Sequence, residues 1–327
     1  MLSGIRRISV LAIAATVVLS ACSSSATPSP APTPTPTDTP IVISAPSDTA
    51  TPAATPAATT AATPVATISC VTGSITAAGS TALQPLIADA AAAYDTACPG
   101  ATITVNPGGS GTGLTQVAAG AVQIGNSDVT AQSKLATPLP ADSLVDHVVC
   151  RQGWIVVTNL DVTGITNLTT QQNIDIWTGT DTNWKQVGGP DLPIVLIFRP
   201  SSSGTRATFK KLVLGGAAEA TGGQTLTLDT NGAVTTAVTT TKGAVSVIGF
   251  AYYNDPANKP QLNGLQLDGT DATVANMSNK TYKLAADGHM YTLGQPTGLT
   301  AAFLQYMMGP EVQGTLIPKD SYGPVSQ

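Results

Sequence analysis

Charge and aromatic side chains are scarce in this sequence. Of its 327 residues only 10% are charged and 4% aromatic, against about 25% charged in ordinary globular chains. Fourteen Lys and Arg spread over such a length make no basic face, which excludes a nucleic-acid binder. A coiled coil is excluded too, because its flanking positions need charge. Two histidines, His147 and His289, and no Gly-x-Ser-x-Gly elbow leave a hydrolase without an evident nucleophile and base. No His, Cys and Asp cluster has metal-ligand spacing, so neither catalysis nor a cofactor is expected. The formal charge is −5, and it falls to about −7 once Arg6 and Arg7 are removed with the N-terminal segment. An acidic protein of this kind has no long-range field to draw in anions. If it binds one, local hydrogen bonds must hold it.

What is present begins with an address. Met1 to Arg7 carries two positive charges, and Ile8 to Leu19 is a mostly apolar run. That run is too short to span a membrane and fits a signal-peptide core over residues 1–21. Leu19-Ser20-Ala21-Cys22 resembles the lipobox of bacterial lipoproteins. The resemblance implies export, a diacylglycerol on Cys22 and attachment to membrane lipid. The location would be the outer face of the cell membrane, or the periplasmic side where an outer membrane exists. Residues 22–67 read as the lipidated cysteine and a tether. From Ala26 to Thr67, 33 of 42 residues are Pro, Thr or Ala, so little can be buried and extended, solvated chain is expected.

Globular composition starts near Ile68. Strand-like and helix-like stretches alternate: a strand near Ser74, a helix over Thr81 to Asp95, a strand over Ala101 to Val105, a short helix over Gly113 to Ala119 and a strand from Val122. This rhythm predicts an α/β sheet with helices on both faces. Further strands are predicted over His147 to Asn159, Pro193 to Phe198 and Ala244 to Tyr253, with helices over Thr205 to Leu214 and Leu299 to Met308.

The informative residues sit where strands pass into helices. Gly79-Ser80-Thr81, Gly108-Gly109-Ser110-Gly111, Ser127-Asp128 and Arg199-Pro-Ser-Ser-Ser203-Gly204-Thr205 each follow a predicted strand. In an open α/β sheet such turns gather at the carboxyl edge, where ligands bind. Glycine lets backbone approach, hydroxyls donate, and helix N-termini supply unpaired amides. Taken singly, each turn reads as an N-cap, and the glycine-rich run matches neither a dinucleotide fingerprint nor a P-loop.

Together, in this order, the turns resemble those of the phosphate-binding proteins of high-affinity phosphate ABC importers. Gly79-Ser80-Thr81-Ala82, Gly109-Ser110-Gly111, Ile124-Gly-Asn-Ser-Asp128, Arg199 to Thr205 and Ser246 to Tyr253 carry the likeness, which covers about residues 73–327. It implies a type II, periplasmic-binding-protein-like fold with two α/β lobes joined by crossing strands and a ligand cleft between them. The first lobe would be residues 73–152 and 249–327, the second 153–248. The phosphate ligands it implies are Thr81, Ala82, Ser110, Asp128, Arg199, Ser203, Gly204 and Thr205, with Ser80 as their neighbour. A monomer is expected, delivering inorganic phosphate to the permease subunits of an ABC importer. The alternatives are a binder or sensor of another oxyanion and, further off, a cell-surface hydrolase or adhesin.

Two expectations remain open at this point. The family often has an acidic residue two positions after the arginine, where Ser201 stands here, so Arg199 is expected to be less firmly held and to offer a two-pronged contact. Beyond Cys22, the cysteines are Cys70, Cys98 and Cys150. Cys70 precedes the first strand and Cys98 follows the first helix, so a Cys70–Cys98 bridge with a buried free Cys150 is expected; Cys98–Cys150 is the alternative.

Overall fold

The alternation of strand and helix is realised in the computed structural model, which describes residues 68–135, 143–223 and 225–325. The expected signal peptide, the expected lipidation of Cys22 and the expected tether fall on residues 1–67, outside the described residues.

Strand β1 (Gly73–Gly79) leads to α1 (Gln84–Ala97), β2 (Ala101–Pro107), α2 (Ser110–Ala118) and β3 (Ile124–Ser127). The long β4 (Leu144–Thr158) follows, then β5 (Asn167–Leu168), α3 (Thr170–Thr178), β6 (Val195–Phe198), α4 (Gly204–Leu212), β7 (Thr225–Thr227), α5 (Asn231–Thr240) and β8 (Ala244–Gly249). The chain closes with α6 (Phe250–Asn254), β9 (Asn263–Leu267), α7 (Val274–Ser278), β10 (Ala285–Leu293), α8 (Gly298–Met307) and α9 (Ile317–Lys319). The first helix begins three residues later than predicted, because Ser80 to Leu83 form the turn that enters it. Its start is fixed by Pro85, which a helix tolerates only in its first turn.

Strand order in the sheet is β2-β1-β3-β10-β4-β8-β6-β7. The first three strands are parallel, as right-handed β-α-β units require. Strand β4 belongs to both halves. Its residues Leu144 to Gly153 pair with β10, and Trp154 to Thr158 pair with β8, with β9 joining the same end. Two main cores lie at the two ends of this shared strand. One holds Ile75, Leu86, Tyr94, Met290 and Phe303, the other Trp154, Trp184, Phe198, Phe209 and Leu265. Each core is built from one half of the sheet and the helices on its faces, which is the two-lobed α/β architecture. Residues 262–285 pack in the second core through Leu262, Leu265, Met277, Tyr282 and Leu284.

Two differences from the sequence reading are physical. The apolar run from Ala244 splits at Gly249 into a strand and the short helix α6. The strand is buried throughout and the helix opens on the buried Phe250, and no polar residue at that point marked the change. Strand β10 inserts antiparallel between β3 and β4, from about 160 residues downstream; no local pattern could specify that partner. The disulfide joins Cys70 to Cys98, tying the segment before β1 to the end of α1. Cys150 is buried and free, and burial pushes its thiol well above the usual range, so it stays protonated and inert.

Candidate functional site

The strand-end turns do converge. Gly79 ends β1 with φ +136°, and a side chain there would run into the Asn126 backbone; only glycine lets β1 and β3 end side by side. Ser80 N donates to Asn126 O at 2.8 Å, joining the first turn to the third. The Ser80 hydroxyl accepts from Ala82 N and Leu83 N, both at 3.1 Å, and donates to Asp128 Oδ1. Ser110 opens α2, and its Oγ accepts from Asp128 N at 3.0 Å. Ser203 caps α4 by accepting from Arg206 N at 3.2 Å.

Asp128 is almost fully buried. Besides Ser80, it accepts from Gln152 Nε2 at 3.2 Å and from Thr205 Oγ1 at 3.3 Å. Thr205 is itself oriented by Trp154 Nε1 at 3.0 Å. Burial pushes the Asp128 carboxyl above its ordinary value, against the Ser80 bond, the Arg199 charge and the Gln152 and Thr205 bonds, which all act downward. A carboxylate has about four acceptor positions; three are filled here, so one remains.

Arg199 corrects the expectation drawn from Ser201. The guanidinium is buried and firmly held, by backbone rather than by an acid. Nε donates to Leu228 O at 3.1 Å, and Nη2 to Asp229 O at 2.6 Å and to Thr81 Oγ1 at 3.0 Å. A guanidinium has five N–H donors. Three are fixed inside the protein, and Nη1, with the other two, is buried without a partner among the described residues. The contact offered to a ligand therefore comes from one nitrogen rather than from the expected fork. Burial lowers the proton affinity of Arg199, opposed by Asp128 and Asp229.

The two lobes meet across these groups. Gly111 N donates to Ser202 O at 2.8 Å, and Lys134 Nζ donates to Ser201 O at 2.6 Å and to Ser203 O at 3.1 Å. At Gly204 an added Cβ would come within 2.7 Å of Asp128 Cβ, and closer still to Ser110 Oγ.

Of the residues expected from sequence, Thr81, Ser110, Asp128, Arg199, Ser203, Gly204 and Thr205 are brought to one place. Ser80 and the Ala82 amide are there too, but they are bonded to each other, and Ser80 also to Asp128. Sequence reasoning missed Gln152, Trp154, Asn231 and Lys134. Gln152 stands between Arg151 and Gly153, at the break between the two apolar stretches of β4, and no motif marks it. Asn231 directly follows Thr230, the N-cap of α5, and no motif in the sequence marks it or Lys134. The assembled site has hydroxyls, an uncommitted cationic nitrogen and helix starts around one buried carboxylate. That suits an oxyanion bearing a proton.

Comparison with known proteins agrees. The PBP superfamily domain matches residues 51–311. The phosphate-binding protein PstS of Bacillus subtilis is 40% identical over 255 residues, 78% of this chain and 82% of that protein. A phosphate ABC transporter substrate-binding protein of Clostridium perfringens, solved with bound phosphate, superposes with a TM-score of 0.70 at 28% identity, over 78% of this chain and all of that one. An ABC-type phosphate transport receptor from Vibrio cholerae gives 0.60 at 26% identity, over 76% and 99%. This chain belongs to the PBP superfamily, and within it to the family of phosphate-binding proteins.

Proposed function

We propose that this protein captures inorganic phosphate outside the cytoplasm and hands it to the permease subunits of an ABC importer, acting as a single chain. The observation that carries this is the pairing of two uncommitted groups: Arg199 Nη1, a buried cationic donor without a partner among the described residues, and the one open acceptor position on Asp128. Phosphate near neutral pH always carries at least one proton, so it can accept from the arginine and donate to the aspartate. Thr81, Ser110, Ser203, Gly204 and Thr205 supply the remaining contacts. Ser80 holds Asp128 in place, and with it the Ala82 amide serves the turn rather than the ligand. Export, and anchoring through a lipid on Cys22, follow from the N-terminal sequence. We assign residues 153–285 to the second lobe, longer than the 153–248 read from sequence, because residues 262–285 pack in that core.

Sulfate carries no proton at this pH, so it would place an oxygen against the open acceptor of Asp128. An unmet buried bond costs about 1–3 kcal/mol, more for charged groups. Asp128→Asn removes the repulsion and puts a donor there. The variant should keep phosphate affinity within about tenfold and bind sulfate at least about tenfold more tightly than the parent does. Competition titrations of both anions on both proteins decide it, and unchanged rejection of sulfate would overturn the proton-acceptor role.

Lys134 is half-buried, and its two bonds to the Arg199 turn reach from one lobe to the other. Lys134→Met should speed phosphate release about three- to tenfold, with little change in the association rate. Stopped-flow fluorescence of Trp154, which is bonded to Thr205, measures both rates. An effect confined to association would rule out a latch.

A further inference from the structure

We infer that Asn231 is a positioning residue that locks the Thr81 hydroxyl into donating to the bound anion, an inference that rests on the phosphate reading above. The chain of constraint starts at the backbone. Gly249 N, at the end of β8, lies 2.9 Å from Asn231 Oδ1. An amide N–H can only donate, so the Asn231 oxygen faces Gly249 and its NH2 faces the other way. That NH2 lies 2.9 Å from Thr81 Oγ1. Arg199 Nη2, also donor only, lies 3.0 Å from the same oxygen.

Thr81 Oγ1 therefore accepts these two short bonds, which fill the two lone pairs of a hydroxyl; the Asn231 backbone N–H also points at it from 3.4 Å, too far to take the place of the side-chain amide. Its own proton must point elsewhere, and no acceptor among the described residues takes it. Thr81 and Asn231 are both almost fully buried, so water does not compete. The oriented proton is left for the ligand beside Arg199 Nη1. A hydroxyl free to rotate could present either its proton or a lone pair; this one can present only its proton. An anion oxygen is met by a donor already aligned, with no reorientation needed on binding. The same arrangement requires the ligand oxygen at Thr81 to be unprotonated, which leaves Asp128 as the place for the ligand's proton.

The test is a double-mutant cycle with Asn231→Leu and Thr81→Val, read by calorimetric titration of inorganic phosphate, with thermal melts to confirm folding. In the parent, Asn231→Leu should weaken phosphate by about tenfold. In the Thr81→Val background it should weaken it by less than about twofold, because there is no hydroxyl left to orient. If Asn231→Leu does not fold, Asn231→Asp serves. It keeps the size and the acceptor for Gly249 N, but turns the donor facing Thr81 into an acceptor that draws the hydroxyl proton away. Its charge acts in both backgrounds, so the excess loss in the parent, at least about fivefold, isolates the hydroxyl. Equal losses in the two backgrounds would make Asn231 a packing residue and overturn the inference while leaving phosphate binding intact. A parent protein that does not bind phosphate would overturn the functional reading and this inference with it.

Discussion

Arg199→Ala is expected to weaken phosphate binding by at least about a hundredfold. Two N–H groups on Nη1 are uncommitted, and a hydrogen bond to a charged group contributes about 1.5–3 kcal/mol. Losing two such bonds is worth two or more decades of affinity. The loss also takes the Nη2 donor away from Thr81 and removes the charge that opposes protonation of Asp128. Arg199→Lys should recover only part of this. An ammonium has three donors on one nitrogen, and it cannot serve Leu228 O, Asp229 O and Thr81 while also reaching the ligand. Calorimetric titration with a melting control measures both variants. Affinity within about threefold of the parent for the alanine variant would place Arg199 outside the binding machinery.

Gly204→Ala should do comparable damage by a different route. The added methyl would overlap Ser110 Oγ and come within 2.7 Å of Asp128 Cβ. Those two residues come from the first lobe, whereas Gly204 opens α4 in the second. The clash therefore lies between lobes. It props them apart without disturbing either core, so the unfolding midpoint should move little. Overpacking at rigid contacts costs about 1–3 kcal/mol, which at its upper end is again about a hundredfold in affinity. Gly222→Ala is the control: its Cβ would meet nothing within 4 Å, and it should change neither property. Equal phosphate affinity in Gly204→Ala and the parent would mean that the lobes do not need this approach to hold the ion.

The parts of the site legible in the sequence are those made by local chemistry. A glycine-hydroxyl turn between strand and helix can be located from the chain alone, but singly it reads as an N-cap; the resemblance to phosphate-binding proteins is what singled out Thr81, Ser110, Ser203 and Thr205. Asp128 and Arg199 could be placed by the turns that carry them. What could not be read was how distant segments serve one another. Arg199 was expected to be loose because Ser201 is not acidic, yet the carbonyls of Leu228 and Asp229 hold it. Any residue type can supply a backbone carbonyl, so sequence carries no mark of it. Asn231 meets Thr81 across 150 positions, and β10 enters the sheet by the same kind of long-range pairing. The strand-to-helix change at Gly249 was hidden for another reason: a short, almost continuously apolar run carries no periodicity that separates the two structures.

A buried acceptor on Asp128 beside a buried donor on Arg199 should select a protonated oxyanion. Calorimetric titration of the unmodified protein with phosphate, arsenate and sulfate at neutral pH tests it most directly. One phosphate should bind per chain, arsenate should bind as well because it also carries a proton, and sulfate should bind at least about a hundredfold more weakly. Sulfate bound as tightly as phosphate, or no phosphate bound at all, would contradict it.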